Sequence, residues 1–259
     1  MPTTSAAGTT VEYTVAGSGP GIALVAGTGL PAQGNFGHLV DAFAGSTVVL
    51  PDYAGSGQTT APDDGPLTLD LLAEQIAAAA RDAVDGPVDL VGYSLGAMVA
   101  ATVAAHHPDL VRRLVLVAGW TGPDDARHKL AVDLWLRLER TDHDLFNRFL
   151  QLNCLSAPFL SGLGDEGMAG LIAGAPPITP GMRRHMELDL VADVRELLSK
   201  ISAPTLVVGL TRDQVIPVER ARQVHEAIPG SAYAEIDTGH LVMFEQPGLF
   251  VETVRGFLR

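Results

Sequence analysis

Ser94 lies between Gly92 and Gly96 in the stretch "VDLVGYSLGAMVAATVAAHHP", residues 88–108, where a β-branched run gives way to an Ala-rich helix. A serine hydroxyl is a weak nucleophile until a base takes its proton, and it must stand clear of the sheet to meet a substrate. A sharp strand-to-helix turn exposes it, and small residues two positions before and after keep strand and helix from clashing. The same turn sits at a helix N-terminus, where free amides and the helix dipole favour a developing negative charge. The amide of Leu95 is therefore a candidate oxyanion donor.

A base is expected after a later strand. Of the eight histidines, His106 and His107 end the helix before Pro108, His128, His143 and His185 fall in the middle of the chain, His38 follows an early loop, and His225 lies in a late amphipathic pattern. His240 differs. "YAEIDTGHLVMFEQP" places it in a loop between the last strand and a helix. An acid should orient that imidazole and stabilise its cation. Asp213 in "PTLVVGLTRDQVIP" stands just beyond a strand, Asp124 and Asp125 offer a second approach, and Asp237 is too close in sequence to His240. A second oxyanion donor is expected from "ALVAGTGLPAQGNF", where Gly27 and Gly29 flank Thr28 and let the backbone approach a ligand. That loop lacks both the G-x-G-x-x-G spacing and the Gly-Lys-Ser/Thr ending of a phosphate-binding loop.

These residues need a frame. Short β-type runs occur at 10–15, 21–26, 46–51, 87–92, 113–118, 204–209 and 231–236 and alternate with helical patterns, which predicts an α/β fold with a mainly parallel sheet. Several runs are almost continuously apolar, as in strands covered on both faces. Helices are expected over 67–84, with Leu69, Leu72, Ile76, Ala79 and Ala83 on one face, and over 95–107. From Gly122 to Asp193 no strand is expected; helical patterns broken by "SGLGDEG" and "AGAPPITPG" predict a cap inserted over the sheet. Thr179 and Pro180 read as the N-cap and first position of one cap helix. The expected division is a core of residues 1–121 and 194–259 with a helical cap of 122–193.

Taken together, "VAGTG" (25–29), "PDYAGSGQT" (51–59), "LVGYSLGAMVA" (90–100), "LLSKISAPTLVVGLTRDQVIP" (197–217) and "IDTGHLVMFEQP" (236–247) resemble the α/β-hydrolase superfamily. The resemblance covers nearly the whole chain and is nearest to the small, cap-bearing enol-lactonases, carboxylesterases, C–C hydrolases and cofactor-free haloperoxidases. The order Ser94, Asp213, His240 is that of such hydrolases. The resemblance implies Ser94 as nucleophile, His240 as general base and then acid, Asp213 as its orienting partner, and the amides of Thr28 and Leu95 as the oxyanion hole. Three positions depart from the family pattern: Ala26 where a histidine usually precedes Gly27, Leu210 where glycine is frequent, and Ala54 where a basic residue is common.

The expected reaction is hydrolysis of an ester, lactone or thioester through an acyl-enzyme. The same site serving C–C cleavage, elimination or cyclisation is the alternative, and a ligand receptor with little turnover is a further one. Trp120, Trp135, Phe146, Phe149 and Cys154 are expected at a pocket for a hydrophobic small molecule. Neither metal nor cofactor is expected. A formal net charge of −13 with only two lysines argues against nucleic acid or an anionic membrane as partner. A single cysteine permits no internal disulfide, and no apolar run is long enough to span a bilayer. With an N-terminus lacking both a basic and an apolar region, this predicts a cytoplasmic protein. Oligomeric state is left open.

Overall fold

The computed structural model describes all 259 residues. Eight strands form, all but the first on the expected runs: β1 (Thr3–Ala6), β2 (Thr9–Gly17), β3 (Gly21–Val25), β4 (Thr47–Pro51), β5 (Val88–Tyr93), β6 (Val111–Val117), β7 (Thr205–Leu210) and β8 (Ala232–Ile236). They form one sheet in the order β1-β2-β4-β3-β5-β6-β7-β8. The β1–β2 and β2–β4 pairs are antiparallel, and all later pairs are parallel. β3 and β5 are buried along their whole length, which is why their sequences do not alternate. β1 lies outside the expected runs. It is four residues long, half exposed in pattern, and pairs only with β2.

Side chains that alternate along the strands feed two cores. One face packs Val88 and Leu90 of β5 under α2 (Leu69–Ala83) and α3 (Leu95–His106). The other packs Val91 and Tyr93 against residues 32–43 and the C-terminal helices. Residues 32–43, over which no element is expected, form the short α1 (Ala32–Phe36) and a 3-10 turn (Gly37–Phe43), and they bury Phe36, Leu39 and Phe43. α2 begins at Thr68, whose hydroxyl accepts from the amide of Leu71 at 3.1 Å, and it buries Leu72, Ile76 and Ala79 on the expected stripe.

No strand occurs between β6 and β7. That segment carries α4 (Ala126–Thr141), α5 (His143–Cys154), α6 (Ala157–Ala173), α7 (Pro180–Asp189) and the one-turn α8 (Arg195–Leu198). α6 is interrupted at Gly164, inside "SGLGDEG", where φ is 64°. Thr179 caps α7 through the Met182 amide at 3.0 Å, with Pro180 as its first residue. Residue 122 falls before α4, and residue 193 between α7 and α8. The rest of the chain supplies α9 (Val218–Ala227) beside β7, then α10 (Val242–Glu245) and α11 (Pro247–Leu258) after β8. No helix is long and apolar enough to cross a membrane.

Candidate active site

The fold brings Ser94, Asp213 and His240 together at the C-terminal ends of β5, β7 and β8. Ser94 occupies the turn between β5 and α3 with φ 55° and ψ −122°, a region that costs a non-glycine residue about 1–3 kcal/mol. The two glycines of the motif are required by packing. A β-carbon on Gly92 would run into the Gly96 carbonyl, and one on Gly96 into the carbonyls of Val25 and Ala26. His240 faces the serine, with Nε2 at 3.1 Å from Ser94 Oγ. On its other side Nδ1 lies 2.6 Å from Asp213 Oδ2. A carboxylate can only accept, so the ring proton sits on Nδ1, leaving Nε2 as the acceptor for the hydroxyl. Asp213 Oδ1 accepts the amides of Val215 (2.7 Å) and Ile216 (2.8 Å), which fixes the carboxylate plane. Tyr93 OH donates to the His240 carbonyl at 3.0 Å and ties the histidine loop to β5. Asp124 and Asp125 are engaged elsewhere, both by Arg220.

The loop after β3 abuts this turn: a β-carbon on Gly27 would come within 3.2 Å of Ser94 Cβ. The Thr28 amide makes no backbone hydrogen bond in that loop, and Leu95 opens α3, so its amide has no acceptor within the helix. Four groups, none of them among the expected site residues, hold the loop. Asn35 Oδ1 accepts from the Gly27 amide at 2.9 Å. Tyr53 OH donates to the carbonyls of Ala26 (2.8 Å) and Gly27 (3.1 Å). From α7 in the cap, His185 Nδ1 accepts from the Gly29 amide at 3.1 Å while Nε2–H donates to the Ala54 carbonyl at 2.8 Å. Thr28 Oγ1–H donates to Asp189 Oδ2 at 2.8 Å. Burial lowers the His185 pKa to about 4, and burial raises that of Asp189 to about 7 against the opposing Thr28 hydrogen bond and the nearby His240. The loop is thus shaped without a histidine at position 26.

Ser94, His240 and Thr28 open onto a cavity of about 450 Å³, lined by 26 residues of which 17 are hydrophobic and none is Lys or Arg. Trp120, Trp135, Phe146 and Cys154 line it. Phe149 does not. On α5 the four-residue spacing turns Phe146, Leu150 and Cys154 inward, and Phe149, half-buried, falls on a different side of the helix. Cys154 is fully buried, and burial pushes its thiol far up, so it packs as an inert side chain.

The sequence profile of the alpha/beta hydrolase fold family matches residues 23–247, which include every group just described. The chain belongs to the α/β-hydrolase family. This hydrolase is 41% identical over 252 residues to pyrrolizixenacetamide deacetylase of Xenorhabdus hominickii, covering 96% of this chain and 94% of that one. It is 29% identical over 221 residues to a pimeloyl-[acyl-carrier protein] methyl ester esterase of Neisseria meningitidis, covering 82% and 67%. Among solved structures, the α/β-hydrolase enzyme MGS-M2 from a Medee basin deep-sea metagenome superposes with a TM-score of 0.89 over 99% of this chain and 97% of that one, at 20% identity.

The helical segment between β6 and β7 is pinned to the His240 loop as well as to the loop after β3. Glu245 accepts from the Ser156 amide (2.9 Å) and hydroxyl (2.5 Å), and the Leu241 amide donates to the Cys154 carbonyl (3.1 Å). One sequence signal could have revealed the α7 contribution. Met182, His185, Met186 and Asp189 follow i, i+3, i+4, i+7, a buried face interrupted by two ionisable residues.

Proposed function

We propose that the protein hydrolyses an ester or amide of a compact hydrophobic molecule through an acyl-enzyme on Ser94. Ser94 Oγ attacks the carbonyl carbon as its proton passes to His240 Nε2. Asp213 holds the imidazole and stabilises the cation. The amides of Thr28 and Leu95 donate to the oxyanion, each worth about 100- to 1000-fold in turnover for donors of this kind. Collapse of the adduct breaks the bond to the leaving group, an alcohol or amine, which takes the proton from His240. Water then attacks the acyl-serine, again losing a proton to His240, and the free acid and Ser94 hydroxyl are regenerated.

The single observation behind this reading is the unbroken hydrogen-bonded series from Asp213 through His240 to Ser94, ending on a strained residue at the mouth of an apolar cavity. The sequence pointed to esters, lactones and thioesters; the 41% identical relative, a pyrrolizixenacetamide deacetylase by name, supports adding amides. The test is hydrolysis of p-nitrophenyl acetate and acetanilide by the native protein and by Ser94→Ala and His240→Ala. The expected result is release of acetate from at least one substrate and a fall of at least about 10⁴-fold in both variants, with folding unchanged. Turnover by Ser94→Ala at the native rate would overturn it.

A further inference from the structure

The side-chain amide of Asn35 has two ends, and the fold uses one of them. Oδ1 accepts from the Gly27 amide at 2.9 Å, and because that partner donates, the other end is the NH2 group. Nδ2 donates to no group of the protein, yet it is not among the partnerless polar atoms sealed from access. Asn35 is 2% exposed and lines the cavity, so the space open to its NH2 group is the cavity. Anchoring the loop does not call for that nitrogen. Three residues earlier the Ala32 amide is tied down by Asp52 Oδ1 at 2.7 Å, a carboxyl oxygen with no amide nitrogen beside it. A donor held away from bulk water with nothing to donate to is rare and costly in native proteins.

Its position puts this donor at the reacting end. A side-chain amide is planar and rigid, so Nδ2 lies no more than about 5 Å from the Gly27 nitrogen that Oδ1 holds. Gly27 directly precedes Thr28, and a β-carbon on it would come within 3.2 Å of Ser94 Cβ. The other side-chain donors around the reacting groups are committed or out of reach. Tyr93 OH donates to the His240 carbonyl, Thr28 Oγ1–H to Asp189, and His240 Nδ1–H to Asp213. The indole N–H groups of Trp120 and Trp135 are sealed from access. Gln151 also carries an amide, but on α5, away from the loop after β3. With no Lys or Arg on the wall, neutral N–H groups alone can receive charge that develops on a substrate oxygen.

We infer that Asn35 is a further catalytic residue, whose Nδ2–H donates to the oxygen of the scissile carbonyl as Ser94 adds to it, a third donor beside the amides of Thr28 and Leu95. Oδ1 holds the loop and thereby aims its own NH2 group, so the donor is in place before the charge forms. The inference rests on the acyl-transfer reading of the site.

The native protein provides the first test. Its asparagines are Asn35, Asn147 and Asn153, so labelling asparagine with nitrogen-15 gives three side-chain NH2 signals, assigned by Asn147→Asp and Asn153→Asp. The probe is a hexyl trifluoromethyl ketone. Ser94 Oγ bonds to its carbonyl carbon, the carbonyl oxygen becomes an oxyanion, and the serine proton passes to His240 Nε2; fluorine NMR reports the adduct. The Asn35 signal should move downfield as the adduct forms, with the other two unmoved. The second test is Asn35→Asp, which keeps an acceptor for Gly27 and the side-chain shape but loses the donor. Its kcat for p-nitrophenyl acetate should fall about 100- to 1000-fold, with a much smaller change in KM. An adduct that leaves the Asn35 signal in place, or a native kcat in Asn35→Asp, overturns the inference alone. Neither adduct nor ester turnover in the native protein overturns the acyl-transfer reading and the inference with it.

Discussion

At Asp189 the fold holds a carboxyl group away from water, 3% exposed, with one oxygen on Thr28 and the other unpaired. A full negative charge there would oppose an oxyanion at the neighbouring loop, and burial favours the neutral acid. The sign of the resulting pH effect is fixed. Its folded pKa, about 7, lies above the ordinary aspartate value of about 3.9. The folded protein therefore keeps a proton that the unfolded chain has lost, and this residue's contribution to stability falls as pH rises from about 4 to about 7. Asp189→Asn should gain on the native protein over that window, by roughly 3–8 °C in Tm at pH 8 relative to pH 4; a gap independent of pH contradicts the assignment. His185 works in the opposite sense. Its folded pKa of about 4 lies below the ordinary histidine value, so the stability it confers is lost as pH falls from about 6.5 toward 4. Protonating Nδ1 would remove the acceptor for the Gly29 amide. Replacing it, as in His185→Ala, should lower kcat by about 10- to 100-fold with a smaller change in KM, as expected when a loop donating to the transition state is loosened. Steady-state kinetics at pH 8 check this; an unchanged kcat shows that the loop keeps its shape alone.

The elements explain what was readable and what was not. Most strands were visible as short apolar runs, several of them continuous rather than alternating, α2 as a 3.6-residue stripe, and α3 as an Ala-rich run stopped by Pro108. The serine turn was visible because its glycines lie two residues away on either side. β1 was hidden because a four-residue edge strand of alternating exposure has almost no apolar content. The turns over residues 32–43 were hidden by Gly and Pro, and only their burial against the sheet organises them. The supports of the oxyanion loop were hidden for another reason. Thr28 meets Asp189 and Gly29 meets His185 across some 160 residues of chain, and periodicity carries no information on such pairings. Phe149 was misplaced by reading composition where helix phase decided. α7 is the element on which these pairings turn, and it approaches the core backbone closely: a β-carbon on Gly181 would collide with the backbone of Gly55. Because backbone cannot yield as a flexible side chain can, Gly181→Ala should cost about 1–3 kcal/mol and reduce activity with it. Chemical denaturation checks the first effect. A variant as stable as the native protein would show that the cap shifts freely over the core.

Across the whole molecule, the mostly parallel sheet delivers three chemical groups from three separate strand ends to one point, and helices from the segment between β6 and β7 line an apolar chamber beside it. The chain carries a formal net charge of −13, and the chamber has no Lys or Arg to receive an anionic group. Introducing a carboxylate on the acyl side of an otherwise accepted ester should therefore lower kcat/KM by at least about tenfold, a comparison that needs only the native protein. Equal rates would mean that the substrate's far end stays in solvent.

The most direct measurement is the site of covalent capture. After reaction with a fluorophosphonate, peptide mass spectrometry should find one phosphonyl adduct, on Ser94, appearing as activity is lost and absent from Ser94→Ala. An adduct on any other residue that tracks the loss of activity, or full inactivation with Ser94 unmodified, would contradict the account.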